Sequence, residues 1–161
     1  MVLEKEIMQI LEQVADPEIP VLSILDLGIV RKVEVEAEGE VIVTITPTYS
    51  GCPAMDMIGI NIKAILEEHN WKSTIKTVLS PAWTTDWITE SGKDKLKAYG
   101  IAPPVGKTTD KAALLNDFIN VNCPRCNSDN TKMLSQFGST ACKSLYQCNE
   151  CLEPFDYFKC H

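Results

Sequence analysis

The stretch Ile29-Val-Arg-Lys-Val-Glu-Val-Glu-Ala-Glu-Gly-Glu-Val-Ile-Val-Thr-Ile45 decides the fold of the first half of this chain. Apolar and polar residues alternate from Ile29 to Val35 and again from Val41 to Ile45, and Glu38-Gly39-Glu40 supplies a turn between them. Alternation with period two gives a strand one buried face, so the segment predicts a β-hairpin.

Upstream, Ile7, Ile10, Leu11 and Val14 recur at helical spacing and predict an amphipathic helix over 3–15, stopping before Asp16-Pro17. Downstream, Pro47 to Pro53 reads as a loop that opens into a helix over 54–69, with Met55, Ile58, Ile62, Ile65 and Leu66 on its inner face. Ser73 to Leu79 predicts a third strand, followed by the loop Ser80-Pro-Ala-Trp-Thr-Thr-Asp86 and a short helix reaching Tyr99. The order is α-β-β-α-β-α, an α/β (α+β) domain over 1–100 whose mixed sheet contains the hairpin and has three strands or somewhat more. Trp83 and Trp87 read as packing residues before they read as a partner groove.

Residues 101–118, with Pro103-Pro104, Gly106 and a charged run, have the composition of a connector. Gly106-Lys107-Thr108 superficially suggests a phosphate-binding loop. However, five residues separate Gly100 from Gly106 instead of four, and two prolines remove the backbone donors such a loop needs. Nucleotide binding is rejected.

Residues 119–161 are expected to form a zinc ribbon. Cys123-Pro-Arg-Cys126 and Cys148-Asn-Glu-Cys151 are two chelating hairpins, and the 21 residues between them suffice for antiparallel strands. Four thiolates complete the tetrahedral shell of Zn²⁺, and a segment this short has little other means of staying folded. Structural zinc is preferred to a rubredoxin-like iron or a cluster. Cys142, Cys160 and His161 stand outside the paired hairpins and are secondary candidates for metal ligands or reactive thiols.

Charge and cysteine usage exclude several classes. Residues 1–100 carry nine Lys or Arg against sixteen Asp or Glu, and residues 101–161 carry six of each. Neither balance suits a phosphate backbone, so nucleic-acid partners are not expected. No apolar run of 18 residues suggests a membrane span, and the acidic amphipathic start predicts a cytoplasmic protein. Six of the seven cysteines fall between 123 and 160 in a metal-binding pattern, not a secreted disulfide framework.

The remaining cysteine, Cys52, stands in Ser50-Gly-Cys-Pro53 directly before a helix, where backbone N–H groups and the helix dipole favour a thiolate. A cysteine that merely packs a turn is the competing reading. His69 lies at the far end of the following helix, so no Cys/His catalytic pair forms. Asp26, in Leu25-Asp-Leu-Gly28, either caps a turn or is held near a site.

Asp16-Pro-Glu-Ile-Pro20, Ser23-Ile-Leu-Asp-Leu-Gly-Ile-Val30 and Thr46-Pro-Thr-Tyr-Ser-Gly-Cys-Pro53 resemble the small domain shared by cytosolic iron–sulfur assembly factors and SufT. Ser80-Pro-Ala-Trp-Thr-Thr-Asp-Trp87, Lys97-Ala-Tyr-Gly-Ile-Ala-Pro-Pro104 and Phe137-Gly-Ser-Thr-Ala-Cys-Lys143 add a resemblance to the PaaD family, accessory proteins of the phenylacetyl-CoA ring epoxidase. The resemblance implies a non-catalytic accessory role in aerobic phenylacetate degradation. The implied partners are the epoxidase di-iron and reductase subunits or the iron–sulfur assembly machinery. It also implies delivery of iron or an iron–sulfur cluster with Cys52 as transient ligand and Asp26 nearby. One cysteine cannot enclose a cluster, so a homodimer mate, a client or a small thiol would complete the shell. The competing classes are a structural adaptor docking epoxidase subunits, a redox ribbon holding iron, and a nucleic-acid-binding ribbon. The chain itself lacks the paired Glu-x-x-His motifs of a di-iron site.

Overall fold

The computed structural model describes residues 2–49, 51–105, 121–140 and 142–159. The chain divides into two compact units, Met1–Trp83 and Thr84–His161.

In the first unit, helix α1 (Val2–Leu11) precedes strands β1 (Val30–Val35) and β2 (Glu40–Ile45), helix α2 (Ala54–Glu68) and strand β3 (Lys72–Thr77). The sheet order is β1-β2-β3, with β1 antiparallel and β3 parallel to β2. The predicted hairpin is present, and α2 is the crossover that parallel pairing requires. Its buried positions Ala54, Ile58, Ile62 and Leu66 repeat every four residues, one stripe of a helix lying on a sheet. Met55 and Ile65, expected inside, are only half-buried at the stripe's margins.

The first helix is shorter than its periodicity suggests. It ends at Leu11, and Gln13 and Val14 continue as tighter turns bonded to Ile10 and Leu11. The reason lies downstream. The Asp16 carboxylate accepts from the Glu18 and Ile19 N–H groups at 2.9 and 2.8 Å, and Ala15 bridges Ser23, so the chain turns away from the helix axis. Ile7, Ile10, Leu11 and Val14 are nonetheless buried as the pattern required.

The second unit holds a 3₁₀ turn (Thr85–Trp87), helix α3 (Glu90–Tyr99) and strands β4 (Ile101–Ala102), β5 (Thr131–Ser135), β6 (Lys143–Cys148) and β7 (Pro154–Phe158) in the order β4-β7-β6-β5. Thr89 caps α3 by accepting from the Gly92 N–H, and Gly100, at φ 93°, ends it in the left-handed conformation. The expected boundary at residue 100 thus meets a different division. The last helix of the α-β-β-α-β-α order belongs to the ribbon's unit, and the first residues of the expected connector are a strand paired parallel to β7. Residues 106–118 of that connector lie outside the described residues. The ribbon core comprises Ala102, Val121, Cys123, Tyr146, Cys148, Phe155 and Tyr157. Among the described residues, no helix is long and apolar enough to cross a membrane.

Trp83 is buried, and its Nε1 donates to the Leu27 carbonyl at 2.7 Å. Replacing it by Phe leaves that carbonyl without its donor, and the Trp83→Phe protein should lose about 1–3 kcal/mol of stability by urea unfolding.

Candidate metal centre and thiol loop

The two cysteine hairpins converge. The Sγ atoms of Cys123, Cys126, Cys148 and Cys151 all lie within 4.8 Å of one another, with Cys123 to Cys151 at 3.7 Å and Cys126 to Cys148 at 3.5 Å. A tetrahedron with Zn–S bonds of about 2.3 Å has edges of about 3.8 Å, so the four sulfurs fit one Zn²⁺.

The local backbone explains the convergence. In the first hairpin the Cys123 N–H donates to the Ser128 carbonyl and the Asn127 N–H to the Cys123 carbonyl. In the second, the Cys148 N–H donates to the Glu153 carbonyl. Each hairpin reverses through a left-handed residue directly after its second cysteine, Asn127 at φ 62° and Leu152 at φ 64°. Asn130 stitches the two together. Its Nδ2 donates to Glu150 Oε1 at 3.0 Å, its Oδ1 accepts from Asn149 Nδ2 at 2.9 Å, and its carbonyl accepts from the Asn149 N–H. Nothing in the CxxC spacing identifies Asn130, because its role depends on the register of β5 against β6.

The thiols do not ionise alike. The Cys151 and Glu150 N–H groups bring Cys148 down to about 7 against the opposing effect of burial. At Cys151 the Glu153 N–H lowers the pKa, but burial and the other three thiols outweigh it and push it up to about 12. Filling the shell with zinc therefore displaces protons, and affinity falls as pH falls.

Cys142 is not a member of this group. Its Sγ lies 2.9 Å from Thr140 Oγ1, beyond the end of β6 opposite to Cys148. Burial lowers the pKa of the neighbouring Lys159 amine, and the Cys142 thiol partly opposes this. Cys160 and His161 lie outside the described residues.

In the first unit, three loops gather at one edge of the sheet. Parallel pairing puts the C-terminal ends of β2 and β3 side by side, where the Val78 N–H donates to the Ile45 carbonyl and the Thr46 N–H to the Ile29 carbonyl. Trp83 reaches this edge through its bond to Leu27. The loop carrying Cys52 leaves β2 here and enters α2. Its turn is closed by the Cys52 N–H on the Tyr49 carbonyl, with Gly51 at φ 79°, a conformation that suits glycine. Cys52 is half-buried, and the Thr48 hydroxyl donates to its sulfur at 3.9 Å. At the head of this loop the buried Thr46 hydroxyl has no hydrogen-bond partner among the described residues.

Asp26 is buried and closes its own loop. Its carboxylate accepts from the Ser23 N–H, and the Ser23 hydroxyl accepts from the Asp26 N–H, both at 3.1 Å. This is the turn-capping role that its residue type favours.

Comparison with known proteins follows the same two units. Residues 4–77 match the family described as iron–sulfur cluster assembly protein, and residues 107–159 match the PaaD zinc β-ribbon domain. The chain is 51% identical, over 96% of its length and 92% of the relative's, to an Escherichia coli K12 protein named as a candidate component of 1,2-phenylacetyl-CoA epoxidase. The chain belongs to the PaaD family. The first unit extends the family's relations. An Fe–S protein maturation auxiliary factor of Porphyromonas gingivalis is 38% identical over 54% of this chain and 84% of its own. A domain of unknown function (DUF59) from Bacillus anthracis superimposes with TM-score 0.56 at 26% identity, covering 59% of this chain and 92% of its own. The PaaD ribbon and the four converged thiols together account for the zinc expected from the sequence.

Two outcomes follow for the metal centre. Asn130→Ala removes no ligand, yet it should weaken zinc binding about 10-fold in competition with a chromophoric chelator. Zinc retention should fall steadily between pH 7.5 and pH 5 in equilibrium dialysis, because each proton competes for a thiolate.

Proposed function

We propose that this protein is a non-catalytic accessory maturation factor of a multicomponent phenylacetyl-CoA epoxidase, acting in the cytoplasm, that helps deliver iron or an iron–sulfur cluster. In this reading the metal is cargo. Cys52 is its transient ligand, and the zinc ribbon is a rigid surface for docking the epoxidase subunits or the assembly machinery.

The observation that carries the reading is the position of Cys52. A half-exposed thiol precedes a helix at the edge where three loops meet, in a domain whose curated relatives are named as Fe–S maturation auxiliary factors. Ligands at the C-terminal ends of parallel strands are the common arrangement for small α/β sheets.

The protein's part in transfer is to hold the thiolate, not to form a closed cage. Among the described residues, the ribbon cysteines are the one group of three or more potential ligands that comes together. Cys52 therefore acts with ligands from outside its own unit, from a homodimer mate, a client subunit or a small thiol. Asp26 supports the loop next to β1 through its bonds to Ser23.

The same grouping also supports a second reading, a structural adaptor in which Cys52 packs a turn. The two readings differ in one experiment. Cys52→Ser should leave fold and ribbon zinc unchanged while lowering the iron content of co-produced epoxidase subunits at least several-fold, measured by elemental analysis. Unchanged iron loading, together with loss of subunit binding on charge reversal of the acidic first unit, would establish the adaptor.

A further inference from the structure

Beside α2, where β2 and β3 end, the first unit carries an open cleft of about 240 Å³. Ile45, Met55, Ile60 and Ile75 give it apolar walls, and Gly59, Asp56 and Lys63 also line it. Asp56, Gly59, Ile60 and Lys63 are spaced i, i+3, i+4 and i+7, so they share one face of the helix. That face is distinct from the buried stripe of Ala54, Ile58, Ile62 and Leu66. It is also apolar at its centre, where Ile60 is 60% exposed.

Two features of this face have no use within the unit. A glycine inside a helix is disfavoured relative to alanine, and its usual service is to let another group come close. Nothing in the described chain comes close, because a Cβ added at Gly59 meets no heavy atom within 4 Å. The second feature is the pair of charges. Among the described residues the side chains of Asp56 and Lys63 have no ion-pair or hydrogen-bond partner. Two helical turns, about 10 Å along the axis, keep them from pairing with each other.

We propose that this face of α2 is a homodimer surface, on which a second copy of the chain lays its α2 antiparallel about a two-fold axis between Gly59 and Ile60. Asp56 then faces the second copy's Lys63, and Lys63 faces its Asp56. Ile60 enters the second copy's cleft over Gly59, where the missing Cβ leaves room, and symmetry repeats the contact. The spacing is what favours a second copy over a foreign partner. A two-fold interface requires that when one residue meets another the reverse contact also forms, and two opposite charges equidistant from the axis satisfy this. A contact built on one helix from each copy is smaller than a standard stable interface, so the dimer forms and dissociates with concentration.

The surface does not depend on the carrier role of Cys52. Antiparallel pairing sends the first residues of the two helices to opposite ends, eleven residue steps or about 16 Å apart along the axis. The second copy's Cys52 therefore does not complete the shell of the first, and a client subunit or a small thiol is left for that part.

The test is the solution mass of the zinc-loaded full chain, measured by light scattering after size exclusion from micromolar to near-millimolar concentration. The wild type should rise towards twice the chain mass. Asp56→Lys and Lys63→Asp should each weaken the dimer about 10-fold or more, because like charges then face each other. An equimolar mixture of these two variants should dimerise again, and so should the double variant alone, since every facing pair is once more of opposite sign. Gly59→Leu should be monomeric, with its side chain filling the cleft. Cys52→Ser should dimerise like the wild type, so failure of the carrier reading and failure of this one are told apart. A wild type that stays monomeric throughout overturns the proposal. A dimer indifferent to the single charge reversals, or a mixture that does not restore it, overturns it equally. Unchanged zinc content and far-ultraviolet circular dichroism establish that each variant is folded.

Discussion

The first unit depends on the double pairing of β2. It is antiparallel to β1 over a short turn and parallel to β3 across α2, and these two pairings have opposite consequences for the chain. An antiparallel neighbour needs only a tight connection. A parallel neighbour forces the chain back along the sheet, and here a fifteen-residue helix makes that return. The C-terminal ends of β2 and β3, the start of β1 and the start of α2 consequently share one edge. The loop bearing Cys52 and the Trp83 to Leu27 hydrogen bond both belong to it.

The second unit rests on a different constraint. Its sheet is small, and two of the seven residues in its core cluster are the metal-binding cysteines Cys123 and Cys148. A metal bound by these thiolates ties both hairpins to the hydrophobic core directly, which a free surface chelate would not do. Zinc binding and folding of this unit are then one equilibrium. The hydrogen bonds around Asn130 add the orientation that sulfur ligation alone leaves loose.

Among the described residues, the two thiol environments outside the zinc shell are different in kind. Cys52 is half-exposed on a loop, suited to meeting partners or cargo, whereas Cys142 is buried opposite a lysine at the end of a sheet. Both are single cysteines in sequence. Exposure and the neighbouring strand, not residue type, set their environments apart.

Several features were legible in the sequence because they are set by local periodicity or local chemistry. The hairpin follows from two-residue alternation between Ile29 and Ile45, α2 from the helical spacing of Met55, Ile58, Ile62, Ile65 and Leu66, and the metal centre from two CxxC hairpins whose spacing alone lets two thiolates share an ion. Other features depend on contacts between residues distant in the chain. The early end of α1 comes from the Asp16 carboxylate and the Ala15 to Ser23 bridge, and the assignment of α3 and β4 to the ribbon's unit comes from pairing with β7, more than fifty residues away. Asn130 and the Cys142 to Lys159 opposition likewise arise only from strand register. Sequence determined which segments form elements and which side chains can bind a metal. Tertiary structure decided which elements share a sheet and which side chains meet, because register and crossover bring together residues that no local pattern links.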